Sequence, residues 1–297
     1  MRHPGRHLGT HRRGLRRVFR LAACLIASST ACGDDRTSDG VRIADVESPV
    51  ASRTAPPPSP SPTNDAAGTD TRGLALAAGG VDGQQYTVAR VEAGGMITGR
   101  IGGPAPRDTL IAPTHDTRAC APFREPLVSG ARGGVGQVVV WLEGVSRGPR
   151  IEAPRTVTLT YDRCRLAPRV QRVGIGGTVM VKGRDALFAR LKFMEEGGTT
   201  ARETVFLTDA GQVVPSSAAA ATPGLVHVRD DKHPWVHAWL VIAPHPFVAI
   251  TEDDGAFRFE GVPAGTYRLV AWHERLGVKR QRVRVDGSVE AKVALQY

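Results

Sequence analysis

The chain has 297 residues, room for one or two domains with a sizeable core, so length excludes little. A formal charge of +10 would point to nucleic acid or an anionic membrane, but seven arginines (Arg2, Arg6, Arg12, Arg13, Arg16, Arg17 and Arg20) and no acidic residue fall within residues 1–32. Removing those seven from the 39 basic residues leaves 32 against 29 acidic, a net of +3, so the basic signal belongs to the leader and nucleic acid is not expected as a partner.

The leader runs from a basic stretch ending at Arg20 through the apolar "LAACLIASS" to the small-residue run "STAC" ending at Cys32, which predicts an export signal over residues 1–32. Its apolar part falls short of the roughly 20 residues that a spanning helix needs. Cys32, preceded by small residues and followed by Gly33, resembles the lipobox cysteine of bacterial lipoproteins; Ser29 departs from the usual aliphatic residue, and "LAAC" at Cys24 is a competing match. The resemblance implies lipidation of Cys32 and contact with a membrane through a lipid anchor alone, in the periplasm or outer cell envelope. Cys120 and Cys164 then remain as an even pair in an oxidising compartment, where a disulfide persists; two buried free thiols are the alternative.

Residues 33–93 include "TAPPPSPSPTND" and "GLALAAGG", rich in Pro, Ser, Ala and Gly without a sustained apolar period. Such a segment cannot bury enough surface to offset its ordering entropy and is expected to be a disordered linker. A tether of ~60 residues reaches on the order of 40 Å. From Met96 short apolar runs alternate with turns: "MITGRI", "QVVVWLEGV", "TVTLTY", "TVMVKG", "TVFLTD", "LVHVR", "HAWLVIA", "AFRFEGV", "TYRLVAW", "RQRVRV" and "AKVALQY" all read as strands. Only "GRDALFARLKFMEEG", at 183–197, has a helical look. The expected fold class is all-β, built from sandwiches.

Residues 247–277, "FVAITEDDGAFRFEGVPAGTYRLVAWHERLG", are similar to the carboxypeptidase regulatory-like (transthyretin-related) β-sandwich family. Asp254-Gly255 reads as a tight hairpin turn, Phe257 and Phe259 share one face, and Tyr267, Leu269 and Ala271 share the next. Residues 156–243 resemble a cupredoxin, a Greek-key β-sandwich. "CRLAPRVQRVGIGGTVMVKGRDALFARL" matches that family's Pro, V-x-V-G-x-T-V and Asp pattern, and "GLVHVRDDKHPWVHAWLVI" its closing strand, ligand loop and final strand. Exported methylamine-utilisation-like proteins combine both modules, and the resemblance divides the chain into 94–150 and 245–297 as regulatory-like strands and 151–244 as a degenerate cupredoxin-like domain. Two arrangements stay open: the cupredoxin-like part inserted into a split sandwich, or 96–150 adding edge strands to the cupredoxin sheet.

The resemblance implies a blue-copper site of two imidazoles, a thiolate and an axial thioether. Position by position, the first His falls on Ala189, the Cys on Asp230, the second His on His233 and the Met on Val236, with Gly183 where the family has Asn. Neither copper nor zinc is therefore expected as a cofactor. If a metal binds at all, the candidate ligands are His227, Asp230, His233 and His237, because imidazole with carboxylate suits Zn(II) or Cu(II). The vacated position has to be filled, and a charge-assisted bond from Arg190 or Lys232 to Asp230 is the expected replacement.

Phe188, Trp235 and Trp239 are expected around the end of the sandwich where cupredoxins dock partners, as a patch that could recognise an envelope protein or carbohydrate; core packing is the competing reading for each tryptophan. No catalytic residue is expected. "GARGGVG" lacks the Lys-Ser/Thr of a phosphate loop, "TEDDG" lacks the spaced oxygen ligands of a calcium loop, and His273 and Glu274 should face opposite sides of a strand. The sequence thus reads as a non-enzymatic exported binding or scaffold protein, with an atypical Cu/Zn carrier or redox accessory protein as the alternative.

Overall fold

The computed structural model describes residues 86–287 and 289–297, all within one compact unit, Asn64–Tyr297. The expected export signal, the lipidation site Cys32 and most of the expected linker lie outside the described residues. The described residues are all-β, with a single-turn 3-10 segment at Ala218–Ala220. Among the described residues no helix is long and apolar enough to cross a membrane.

In chain order the first strands are β1 (Thr87–Val88), β2 (Gly95–Gly102), β3 (Arg107–Ile111), β4 (Phe123–Val128), β5 (Val139–Glu143) and β6 (Arg147–Gly148). A middle group follows: β7 (Thr156–Asp162), β8 (Arg165–Ala167), β9 (Val170–Val173), β10 (Thr178–Gly183), β11 (Ala189–Glu195), β12 (Ala201–Leu207), β13 (Val213–Ser216), β14 (Gly224–Asp230) and β15 (His237–Ile242). The chain closes with β16 (Val248–Ile250), β17 (Ala256–Val262), β18 (Gly265–His273), β19 (Gly277–Val285) and β20 (Glu290–Gln296).

The middle group forms a sandwich of its own, with sheet orders β13-β10-β7-β8 and β12-β11-β14-β15-β9. Alternation places Leu159, Tyr161, Val179, Val181, Leu191 and Phe193 in the core between these sheets, together with Val226, Val228, Ala238 and Leu240. The outer strands form a second sandwich, β16-β5-β18-β19 over β17-β2-β20. Strand β5 hydrogen-bonds to β16 and β18, and β2 to β17 and β20, so strands from both ends of the chain share one core of Ile97, Leu142, Phe257, Phe259, Leu269 and Leu295. The 156–242 segment leaves this sandwich after β5 and returns at β16.

The two sandwiches also meet face to face. Odd-numbered residues of β14 and β15 (Leu225, Trp239, Val241) point away from the inner core and pack against Val139, Trp141, Val270 and Trp272 on the outer face of the β16-β5-β18-β19 sheet. Burial on both faces explains why "HAWLVIA" is almost continuously apolar rather than alternating.

Three expectations change. Residues 183–197 contain β11, in which Leu191 and Phe193 point inward and Arg190 points out; its period is two, and no helix forms. Asp254-Gly255 joins β16 to β17, which lie in different sheets, so it is a crossover turn and not a hairpin. Gly255 is required there by a φ of 79° and by the Ile101 carbonyl, which a Cβ would strike. Residues 86–93 belong to the fold and not to the linker: Tyr86 packs on the outer core and donates to Pro149 O at 2.6 Å, and β1 pairs with β6.

Candidate functional site

The position that the cupredoxin resemblance assigns to a metal is occupied by a closed polar network. Asp230 ends β14 with its side chain directed into the inner core, and His233 sits in the following loop; they are 2% and 0% exposed. His233 Nδ1 lies 2.6 Å from Asp230 Oδ2, and Tyr161 Oη, from β7, donates to the same oxygen at 3.2 Å. Asp230 Oδ1 accepts the backbone N–H groups of Arg190 and Lys232, both at 3.1 Å. His233 Nε2 lies 2.9 Å from Asp116 Oδ2, an oxygen that also takes Lys232 Nζ at 2.8 Å. The hydrogen bonds from Lys232 and His233 hold the Asp116 carboxyl below the usual range, whereas burial and the adjacent Asp230 charge push the Tyr161 phenol far up.

Asp116 comes from the loop between β3 and β4, and the chain pins it there. Asp116 O accepts the N–H groups of Ala119 and Cys120, both at 2.8 Å, and Cys120 forms a disulfide with Cys164, Cα to Cα 5.4 Å. Cys164 and Arg163 make the two-residue turn between β7 and β8, with φ of 56° and 48°, angles more usual for Asn-Gly. The Asp185 carboxylate accepts both of their N–H groups, at 2.8 and 2.9 Å, and so stabilises a turn that places a cysteine where glycine would be easier.

These residues do not fit a blue-copper ion. Ala189 and Val236 are buried core residues with no donor atom. Asp230 offers hard carboxylate oxygen where the metal requires soft sulfur, and both nitrogens of His233 already face carboxylates. The expected side-chain partners of Asp230 also differ. Arg190 and Lys232 reach it only through their backbone, because the Arg190 side chain pairs with Asp231 at 2.6 Å and that of Lys232 with Asp116. The exposed guanidinium stays at the surface, and the histidine, which can be buried whole, takes the inner place.

The four candidate metal residues separate into two pairs. Strand alternation sends Asp230 into the inner core and His227 to the opposite face, where its Nε2 lies 3.3 Å from His237 Nδ1. The His227 ring stacks on Trp239, centroids 4.1 Å apart, and burial followed by the nearby charges of His237, Arg229 and Arg169 brings its pKa down to about 3. Among the described residues no group of three or more His, Cys, Asp or Glu side chains is arranged to hold a metal ion.

The expected aromatic patch is not one surface. Phe188 is exposed and leans on Phe206 of β12. Trp239 is buried between the sandwiches, edge-on to Trp272. Trp235 is half-buried beside His233, and its Nε1 is buried with no hydrogen-bond partner among the described residues.

A second polar cluster, at the junction of the sandwiches, was not indicated by any motif. Arg169, just before β9, reaches Glu125 of β4 at 2.7 Å and Glu274, after β18, at 2.9 and 3.1 Å, while its Nη2 touches His237 Nε2. Trp239 Nε1 donates to Glu274 Oε2 at 2.8 Å. Burial alone would raise both glutamates; for Glu125 the His237 contact and the Arg169 charge outweigh it, and for Glu274 the Arg169 charge and hydrogen bond do, leaving both below the usual range. His273 does not face Glu274: its Nδ1 accepts Arg275 N–H at 3.1 Å.

Fold and site together define an all-β protein of two packed sandwiches, the inner one closed by a protein-only polar network at one end. Among solved structures it is similar to amicyanin. A methionine-to-alanine mutant in the Cu(I) form matches with a TM-score of 0.25 and 15% identity, covering 31% of this chain and 85% of that one. A reduced proline-to-phenylalanine mutant matches with a TM-score of 0.26 and 16% identity, covering 29% and 81%. No protein-family model matches the chain, and no curated protein matches it.

Proposed function

We propose that this chain is a non-enzymatic exported binding or scaffold protein, held at a membrane surface by a lipid on Cys32, in which a metal-free cupredoxin-like module is carried within a regulatory-like sandwich. The observation that carries the reading is His233: fully buried, with carboxylate oxygens 2.6 and 2.9 Å from its two ring nitrogens, it is held on both sides by protein groups where a metal would have to bind. The Cys120–Cys164 bond supports export, since such bonds persist in oxidising compartments. The partner is an envelope protein or carbohydrate.

The test is elemental analysis of the purified protein after loading with Cu(II) and with Zn(II), beside His233→Ala. Sub-stoichiometric metal in both supports the reading. Stoichiometric metal lost in the variant overturns it in favour of a carrier. The facing His227 and His237 nitrogens favour a carrier as the second reading, so His227→Ala is the informative companion: metal lost in it alone places the carrier site at the junction.

A further inference from the structure

A cleft of about 140 Å³ opens beside the His233 loop, where the β3–β4 arm meets β8 and the start of β15. A cavity on the order of 150 Å³ holds a benzene-sized ring. Phe123, Pro126, Leu166 and Trp235 supply apolar walls, and Arg169 with the largely buried Glu125 forms part of the lining. The ion pairs of Arg169 with Glu125 and Glu274 explain themselves, as a clamp between the sandwiches. The Trp235 indole is a wall of the cleft, with its N–H buried and without an acceptor among the described residues.

Two other features of the cleft bear on what it could hold. Gln137 is the first: it holds a φ of 60°, a conformation that glycine or asparagine adopts more cheaply, and it lines the cleft with no side-chain hydrogen bond among the described residues. Arg165 is the second. Its guanidinium lies over the Phe123 ring, 3.9 Å from the centroid, and makes no ion pair among the described residues.

We propose that this cleft binds a single ring bearing a carboxylate. The ring face suits the apolar walls, and its polar edge would accept from the Gln137 side-chain amide. The carboxylate suits Arg165 and the neighbouring exposed Arg124, because Arg169 is already neutralised by two glutamates and the rim keeps an excess of positive charge. This rests on the binding-protein reading above and names its ligand class. An acidic sugar and an aromatic acid share the chemistry, and the probes separate them.

The experiment is a titration of the intact protein with D-glucuronate, with benzoate and with glucose, followed by isothermal calorimetry and by the Trp235 indole proton signal. Saturable binding of one acid is expected, with glucose at least about tenfold weaker. Glucuronate as the tighter ligand assigns an acidic sugar, and benzoate an aromatic acid. Arg165→Ala should weaken that binding about tenfold. Gln137→Gly should weaken it while holding or raising the melting temperature, since glycine relieves the backbone; a merely structural glutamine would leave binding unchanged. Failure of both acids to saturate, or undiminished binding in both variants, overturns the site. That failure leaves the metal-free reading standing, whereas stoichiometric metal at His233 sinks the latter whatever the cleft binds.

Discussion

His233 Nδ1 and Asp230 Oδ2 are 2.6 Å apart with both side chains out of solvent, and this contact stands where the cupredoxin resemblance would place two metal bonds. A metal cross-links a loop to the strands behind it. Here Asp230 links its own loop to β7 through Tyr161 and to β11 through Arg190 N–H, and His233 links it onward to the β3–β4 arm through Asp116. In this protein the loop is cross-linked by protein groups alone.

Asp230→Ala should accordingly be among the most destabilising substitutions in the inner sandwich. It strands the backbone N–H groups of Arg190 and Lys232 and takes from Tyr161 Oη and His233 Nδ1, themselves 3.0 Å apart, the carboxylate they share, a loss of about 3–5 kcal/mol for breaking a buried pair. Replacing both residues, Asp230→Val with His233→Leu, removes the charge problem and should cost less than Asp230→Ala alone. Urea midpoints of the three proteins decide this, and an unchanged midpoint for Asp230→Ala would refute the network's structural role.

Cys120 and Cys164 are 44 residues apart, and on the chain-entropy view their bond stabilises the fold by about 4 kcal/mol. The Cys120→Ser, Cys164→Ser double variant should lose stability of that order. It should also release Asp116, so that the His233 ring proton exchanges faster with solvent. A variant that loses stability while His233 keeps its protection would show that Asp116 is held by Lys232 and His233 without the disulfide.

Acid should destabilise the protein before its carboxylates titrate. Burial, followed for His227 by neighbouring positive charges, brings His227 down to about 3, and for His245 burial outweighs its backbone hydrogen bonds and brings it to about 4, from an ordinary 6.5. Below 6.5 the unfolded chain takes protons that the folded one refuses, so their contribution is present above that pH and is lost as the pH falls through the folded values. Glu125 and Glu274, held below their ordinary 4.5, add a second loss at lower pH; Glu196, raised by burial, works in the opposite direction. His227→Gln should flatten unfolding free energy between pH 6.5 and 4.5, measured by denaturant titration at several pH values. An unchanged slope would mean that His227 titrates normally.

What the sequence made legible was local. Phe257 and Phe259, or Leu269 and Ala271, announce their faces by alternation, and the burial follows it. The same alternation shows that Asp230 and His227 cannot share a site. The 183–197 segment misleads because Leu187, Phe188 and Leu191 also satisfy a helical spacing, and only packing against β12 and β14 settles the period. Asp116 lies 117 residues from His233, and Arg169 lies 105 from Glu274. Neither pairing leaves a mark at short range, and the junction cluster exists only because two sandwiches close over it.

Arg169 is the residue on which that closure depends most. One guanidinium serves Glu125 from the β3–β4 arm, Glu274 from the outer sandwich and His237 from the inner one, a three-way role that suits a planar fork. Arg169→Ala takes the cation from two mostly buried carboxylates, leaving Glu274 with Trp239 and Glu125 with His237, and should cost about 3–5 kcal/mol. Arg169→Lys keeps the charge without the fork and should recover only part of the loss. Because Trp239 donates to Glu274 and meets Trp272 edge-on, both variants should shift tryptophan emission to the red. Limited proteolysis should speed up in the connections at 149–155 and 243–247, where the inner sandwich leaves and rejoins the outer one. Wild-type cleavage rates with a lowered melting temperature would place the cost of Arg169 within one sandwich and not at their junction.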